Sequence, residues 1–179
     1  MNINDFRAKM QYGGARTSLF QVRLTNPIEG IADLEYPFFV HATSLPGSTV
    51  NPLELRYFGR AVKFPANREF DNWDVTIYND ENFLLRNALE SWAGSINGLE
   101  SNIRKTPSAE TALVKSDAEI IQFSKTNVPI RTYRMIGIWP QAISPIDLTW
   151  ESDDIQRFSV SFSVDYYITE GTTGNSGGV

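Results

Sequence analysis

The chain has 179 residues, no cysteine and a formal net charge of −5. Its length suffices to bury a full core as one domain, and the lack of thiols excludes a disulfide framework and any thiolate-held metal, as suits assembly in a reducing cytoplasm. The acidic balance opposes phosphate binding, which rests mainly on Lys and Arg, and no apolar run reaches the roughly 18 residues of a membrane span.

Hydrophobic residues at 41% against 21% charged place the chain among globular proteins. Residues 1–17 are polar and mixed, contain Gly13 and Gly14 as a joint, and lack the apolar core of a signal peptide. A partly ordered arm is expected there. Over 18–25, Phe20, Val22 and Leu24 alternate with Gln21, Arg23 and Thr25, which predicts a strand closed by Asn26-Pro27. A second strand is expected over 36–44, with Phe38, Val40 and Ala42 on one side, before a turn at Leu45-Pro46-Gly47. Residues 49–64 read as a hairpin-like excursion turning at Gly59, with Pro52 at an edge or a bulge. Residues 70–78 alternate again, placing Trp73, Val75 and Ile77 inward.

One clear helix follows, at about 80–96. Asn79 or Asp80 can cap it, and Leu85, Leu89, Trp92 and Ile96 form one apolar stripe. Residues 97–117 are polar and aperiodic, a loop long enough to suggest a function. Strands are expected over 118–126 and 131–138, the second ended by Trp139-Pro140, and 141–150 leads toward another. A turn at 151–154 opens a long strand, 155–168. Phe158, Val160, Phe162, Val164, Tyr166 and Ile168 share one parity of it, and Ser159, Ser161, Ser163 and Asp165 the other. Residues 171–179 are a Gly/Ser/Thr tail. The expected fold is mainly β: an antiparallel β-sandwich or barrel with one flanking α-helix and extended loops suited to assembly. The chain divides into an arm (1–17), a β domain (18–170) and the tail.

Chemistry is sparse. His41 is the only histidine, so neither a Ser–His–Asp arrangement nor a zinc site is indicated. Asp71 with Asp74, and Asp153 with Asp154, could stand as paired carboxylates, but their places at a strand entry and in a turn give Asp an ordinary structural use. No Gly-x-x-x-x-Gly-Lys loop occurs. No catalytic residue, metal site or cofactor is expected. Arg56, Arg60, Lys63 and Arg68 form a basic cluster with acidic neighbours, read as subunit-contact charges.

Four blocks carry a resemblance, in order along the chain. They are 39–47 (FVHATSLPG), 68–81 (REFDNWDVTIYNDE) running into the helix, 136–150 (IGIWPQAISPIDLTW), and 155–167, which opens Ile-Gln-Arg-Phe and closes Val-Asp-Tyr-Tyr. Together they resemble the tail tube protein of contractile-tailed bacteriophages. The resemblance implies a structural virion protein of the phage tail, assembled in the host cytoplasm, whose hexameric rings share a continuous β-barrel and stack into a tube. It implies as partners further copies of the chain, the tail sheath protein, a length-determining protein, and baseplate and terminator proteins. Genome DNA would pass through the channel without specific binding, and no membrane insertion is implied. The arm, the tail and the stretch Asn26–Leu34 depart from the family pattern.

On that reading Leu53, Leu55, Tyr57 and Phe58 are candidates for contact between rings, since such apolar groups need cover. Ser159, Ser161, Ser163 and Asp165 are candidates either for the channel lining or for an outer, sheath-facing surface. The same fold could also serve as a tube initiator in the baseplate or as the ring protein of type VI secretion. A different class, a carbohydrate-binding or carbohydrate-cleaving β-sandwich, would use exposed Tyr57, Trp139 or Tyr167 to stack on sugars.

Overall fold

The computed structural model describes residues 2–10, 13–104, 113–151 and 153–171. In chain order its elements are α1 (Ile3–Lys9), β1 (Phe20–Leu24), a 3₁₀ turn (Gly30–Leu34), α2 (Tyr36–Phe39), β2 (Val40–Thr43), β3 (Ser48–Tyr57), β4 (Arg60–Phe70) and β5 (Trp73–Tyr78). Then come α3 (Leu84–Ile96), β6 (Ser116–Phe123), β7 (Pro129–Ile143), β8 (Arg157–Ser163) and β9 (Tyr166–Gly171). Seven strands make one antiparallel sheet in the order β1-β6-β7-β8-β5-β2, with β9 also on β7. The remaining two, β3 and β4, pair with each other and with no further strand among the described residues.

The 15-residue β7 organises the sheet. Residues 129–138 run between β6 and β9, whereas 139–143 pair with β8. Strand β7 turns at Gly137, whose φ of 70° is cheap only for glycine. A Cβ there would also overlap the Asp165 carboxylate. The chain on the other side breaks at the same corner, so β8 and β9 follow the bent β7 as two segments. Asp165 N–H donates to the Ile136 carbonyl across the corner at 3.2 Å, and Lys115 Nζ holds its carboxylate at 2.6–2.7 Å.

The two halves of the bent sheet turn their apolar faces to one core. Val22, Leu24, Ile120 and Met135 come from one half; Trp73, Val75, Ile77, Phe158, Val160 and Phe162 come from the other. Helix α3 closes it with Leu85, Ala88, Leu89 and Trp92, all buried as their spacing predicts. The Phe162 ring lies 5.2 Å from Trp73 and 6.1 Å from Trp92. Trp92 Nε1–H meets its hydrogen-bond need on the Val114 carbonyl at 2.7 Å. Asn26 is buried and satisfied: its Nδ2 donates to the Ala88 carbonyl, and its Oδ1 accepts from Ile28 and Glu29 N–H.

This is the mainly β, antiparallel architecture with a flanking helix that the sequence indicates. Several elements differ from their expected form. The strand expected over 36–44 exists only as Val40–Thr43, because Tyr36–Phe39 makes a helical turn around Pro37. Phe38 therefore faces solvent, and a bulge parts the other two: Val40 pairs with Ile77 and packs on the core, whereas Ala42 pairs with Thr76 on the outer face. Helix α3 starts at Leu84, not near 80: Phe83 adopts φ 54°, and the Asp80 carboxylate accepts Leu84 N–H at 3.0 Å. Trp139-Pro140 does not end β7, since the missing proline N–H falls where the pairing with β8 shifts register. No strand forms over 144–151; Leu148 and Trp150 are exposed. The long strand 155–168 is also corrected. Val164 is the last buried residue of its expected parity; past the corner Tyr166 is exposed and Thr169 is buried. The arm contains a short helix, and most of the tail lies outside the described residues, as does the centre of the 97–117 loop.

Candidate assembly interface

Strands β3 and β4 form a ribbon that stands off the sheet with most of its surface in solvent. Its turn has two central residues, Phe58 (φ 48°) and Gly59 (φ 78°), both left-handed, as a tight hairpin matching the strand twist demands. Pro52 sits at a register shift, so its missing donor costs no ladder bond. At the base, the Phe70 ring meets Tyr167 edge-on at 5.4 Å, and Tyr167 Oη bonds Ser48 Oγ at 3.3 Å.

Above the bulge the register sorts the ribbon into two faces. Leu53 opposes Phe64 and Leu55 opposes Val62, so all four share one face with Tyr57. The whole row is exposed, and the tip is the extreme: Tyr57 is 73% and Phe58 92% accessible, with their rings edge to face at 4.6 Å. The sequence singled out Leu53, Leu55, Tyr57 and Phe58; the structure brings them together and adds Val62 and Phe64. A hairpin alone is marginal in water, and this one leaves its apolar strip exposed among the described residues.

The four candidate cations do not form one patch. Arg56 and Lys63 lie on the ribbon's polar face, where Lys63 pairs with Glu54 at 3.2 Å. Arg60 opposes Tyr57 on the apolar face, and Arg68 lies beyond the bulge opposite Val50.

Ser159, Ser161 and Ser163 share the outer face of β8. Ser159 pairs with Thr76 and Ser161 with Asp74, Ala42 opposes Thr76, and Ala142 opposes Ser161. The Ser159 and Thr76 hydroxyls are hydrogen-bonded at 3.1 Å. The face is thus broader than the serine row and still made of small groups. Both ends are larger: Trp139 opposes Ser163 at one, and at the other Tyr78 carries the His41 ring at 4.8 Å and the Arg157 guanidinium at 5.3 Å. Asp165 is not on this row, because it turns at the corner to Lys115. Register between strands, which single-chain periodicity does not carry, is what adds Ala42, Thr76 and Ala142.

Two features escaped the sequence reading. The outer edges of β2 and of residues 139–143 have no strand partner among the described residues, and they bound the same run β2-β5-β8-β7. Ile31, Leu34 and Phe38 are also 77–81% exposed. Their i, i+3, i+7 spacing was the available signal for a helical patch, hidden by the strand expected over 36–44. The sugar-stacking aromatics do not converge: Tyr167 packs at the ribbon base, Trp139 lies partly buried against the core, and Tyr57 is at the tip. Among the described residues no cluster of three acidic or imidazole groups could hold a metal.

Among the described residues the β domain thus leaves a long apolar ribbon and two edges of one sheet uncovered. The family model described as phage tail tube protein matches residues 2–170, and the chain belongs to that family of structural tail proteins. The chain is 27% identical over 170 residues to the tail tube protein gp19 of Enterobacteria phage T4, covering 93% of this chain and 99% of that one. It is 25% identical over 157 residues to the tail tube protein of Serratia phage KSP90, with coverages of 85% and 87%. The fold recurs in a chain from the sheath–tube complex of an extracellular contractile injection system (TM-score 0.62, 15% identity, 93% and 97% covered). It recurs again in the six-fold symmetrised baseplate of the anti-feeding prophage (TM-score 0.63, 14% identity, 88% and 96% covered).

Proposed function

We propose that this chain closes into hexameric rings that stack into the inner tube of a contractile tail, through which genome DNA passes inside the sheath. The observation that carries the reading is the β3–β4 ribbon, whose apolar face has no cover among the described residues. Leu53, Leu55, Tyr57 and Phe58 then bury against the next ring, where an exposed Phe or Tyr contributes about 1.5–3 kcal/mol on full burial. Ring closure uses the free edges of β2 and of residues 139–143. Pairing one subunit's β2 with its neighbour's 139–143 continues the β2-β5-β8-β7 run around a circle and removes both edges.

In such a ring the core, α3 and the other half of the sheet must lie outward, where there is room. The face of Ser159, Ser161, Ser163, Thr76 and Asp74 then lines the bore. Small polar groups and a net negative chain let DNA move without gripping its phosphates. The same bore holds a length-determining protein earlier, the outer surface meets the sheath protein, and the ends of the stack meet baseplate and terminator proteins. The assembled location is the virion tail, after assembly in the host cytoplasm. Electron microscopy of the purified protein over a range of concentrations tests the reading. Six-fold rings or tubes are expected, and a protein that stays monomeric at every concentration overturns it.

A further inference from the structure

The apolar patch of the 3₁₀ turn and α2 has a complement elsewhere on the same chain. Ile31, Leu34 and Phe38 project into solvent, while Ala32 and Tyr36 between them are buried and fix the segment to the body. Asp33 tightens it by accepting Asn26 N–H at 2.7 Å. Glu29 and Glu35 flank the patch, and neither forms an ion pair among the described residues.

Helix α1 has the opposite character. Ile3, Phe6 and Met10 are exposed and lie within about 60° of one another on the helix surface, at about 100° per residue. Arg7 and Lys9 lie on either side of that stripe, again without ion pairs among the described residues. None of the helix's residues is buried among the described residues. A seven-residue helix is too short to persist in water unaided, so it needs a surface to lie on.

We infer that α1 of one copy docks on the Ile31–Leu34–Phe38 patch of another, Ile3, Phe6 and Met10 meeting the three apolar side chains and Arg7 and Lys9 meeting Glu29 and Glu35. Three large apolar groups flanked by two cations face three large apolar groups flanked by two carboxylates, both triplets at i, i+3, i+7. The occupant is a second copy because the two surfaces complement each other in charge and in the number and spacing of apolar groups. This docking deepens the tube reading and, where tubes form, rests on it: the arm then ties each subunit to a neighbour independently of the β3–β4 ribbon.

The chain has no cysteine, so single cysteines report the contact cleanly. Phe6→Cys and Phe38→Cys proteins, mixed and oxidised mildly, should give a disulfide-linked pair that neither gives alone in comparable yield. Glu29→Lys with Glu35→Lys should raise the concentration needed for tube growth at least tenfold, and adding Arg7→Glu with Lys9→Glu should restore it. Because no residue of α1 is buried among the described residues, its variants keep the fold. Normal tubes without the crosslink overturn the docking and leave the tube reading intact. So does a loss of tubes on Phe38→Ser that deletion of residues 2–10 does not reproduce, since the patch then has another occupant. If the parent protein forms no rings or tubes, the tube reading fails. A crosslinked pair under those conditions upholds the docking by itself, and its absence overturns both.

Discussion

Phe58 sits where its conformation and its chemistry conflict, and replacing it separates folding from assembly. Its φ of 48° is left-handed, which costs an ordinary L-residue roughly 1–2 kcal/mol, and Asn-Gly is the pair such a turn prefers. Its ring is 92% exposed and touches mainly Tyr57, so the subunit loses little when the ring goes. Phe58→Asn should therefore stabilise the ribbon by about 0.5–1 kcal/mol, read as about two- to fivefold slower hydrogen exchange in β3 and β4. Assembly should move the other way. Losing a buried Phe at each inter-ring contact removes about 1.5–3 kcal/mol, so the concentration at which tubes sediment should rise about 10- to 150-fold. Faster exchange in the ribbon would mean that Phe58 packs on its own subunit. An unchanged assembly concentration would remove the tip from the contact.

Gly137→Ala forces a side chain into the left-handed region and against Asp165, which Lys115 holds in place. A loss of about 2–3 kcal/mol follows, and thermal unfolding should show a midpoint about 5–10 °C lower. Trp92→Phe leaves the Val114 carbonyl without its donor and a gap beside Phe162. Denaturant unfolding should report a loss of about 2–4 kcal/mol, with exchange at 113–116 accelerated. Burial raises the Asp33 pKa above its ordinary 3.8, against a smaller lowering by the Asn26 N–H bond. The folded state thus holds that proton more tightly than the unfolded one, and stability falls as pH rises from 3.8 through the raised value. Asp33→Asn, which keeps an acceptor for Asn26 N–H, should be more stable than the parent at neutral pH and lose its advantage below that window. An advantage that persists at low pH would refute the electrostatic cause.

What could be read along the chain was whatever depends on near neighbours. The stripe Leu85, Leu89, Trp92 fixes the buried face of α3, since 3.6 residues per turn bring those positions together. The alternation of Trp73, Val75 and Ile77 fixes the inward face of β5 in the same way, and Gly59 announces the ribbon's turn. Leu53, Leu55, Tyr57 and Phe58 stood out because apolar groups between Pro and Gly signals have no obvious core to join. The helical turn at Tyr36–Phe39 stayed hidden, because four residues with two aromatics fit either local structure.

Composition and short-range period carry the class of fold and the inner face of most elements. The break of 155–168 at Asp165 comes from contacts distant in sequence. A strand keeps one parity until its partner bends, and that partner, β7, bends where Gly137 permits it. Tertiary structure likewise placed Ala42, Thr76 and Ala142 beside the serines, put Val62 and Phe64 beside Leu55 and Leu53, and left α1 and the Phe38 patch uncovered. Register and exposure are set by residues distant in sequence, and one chain read end to end carries no direct record of them.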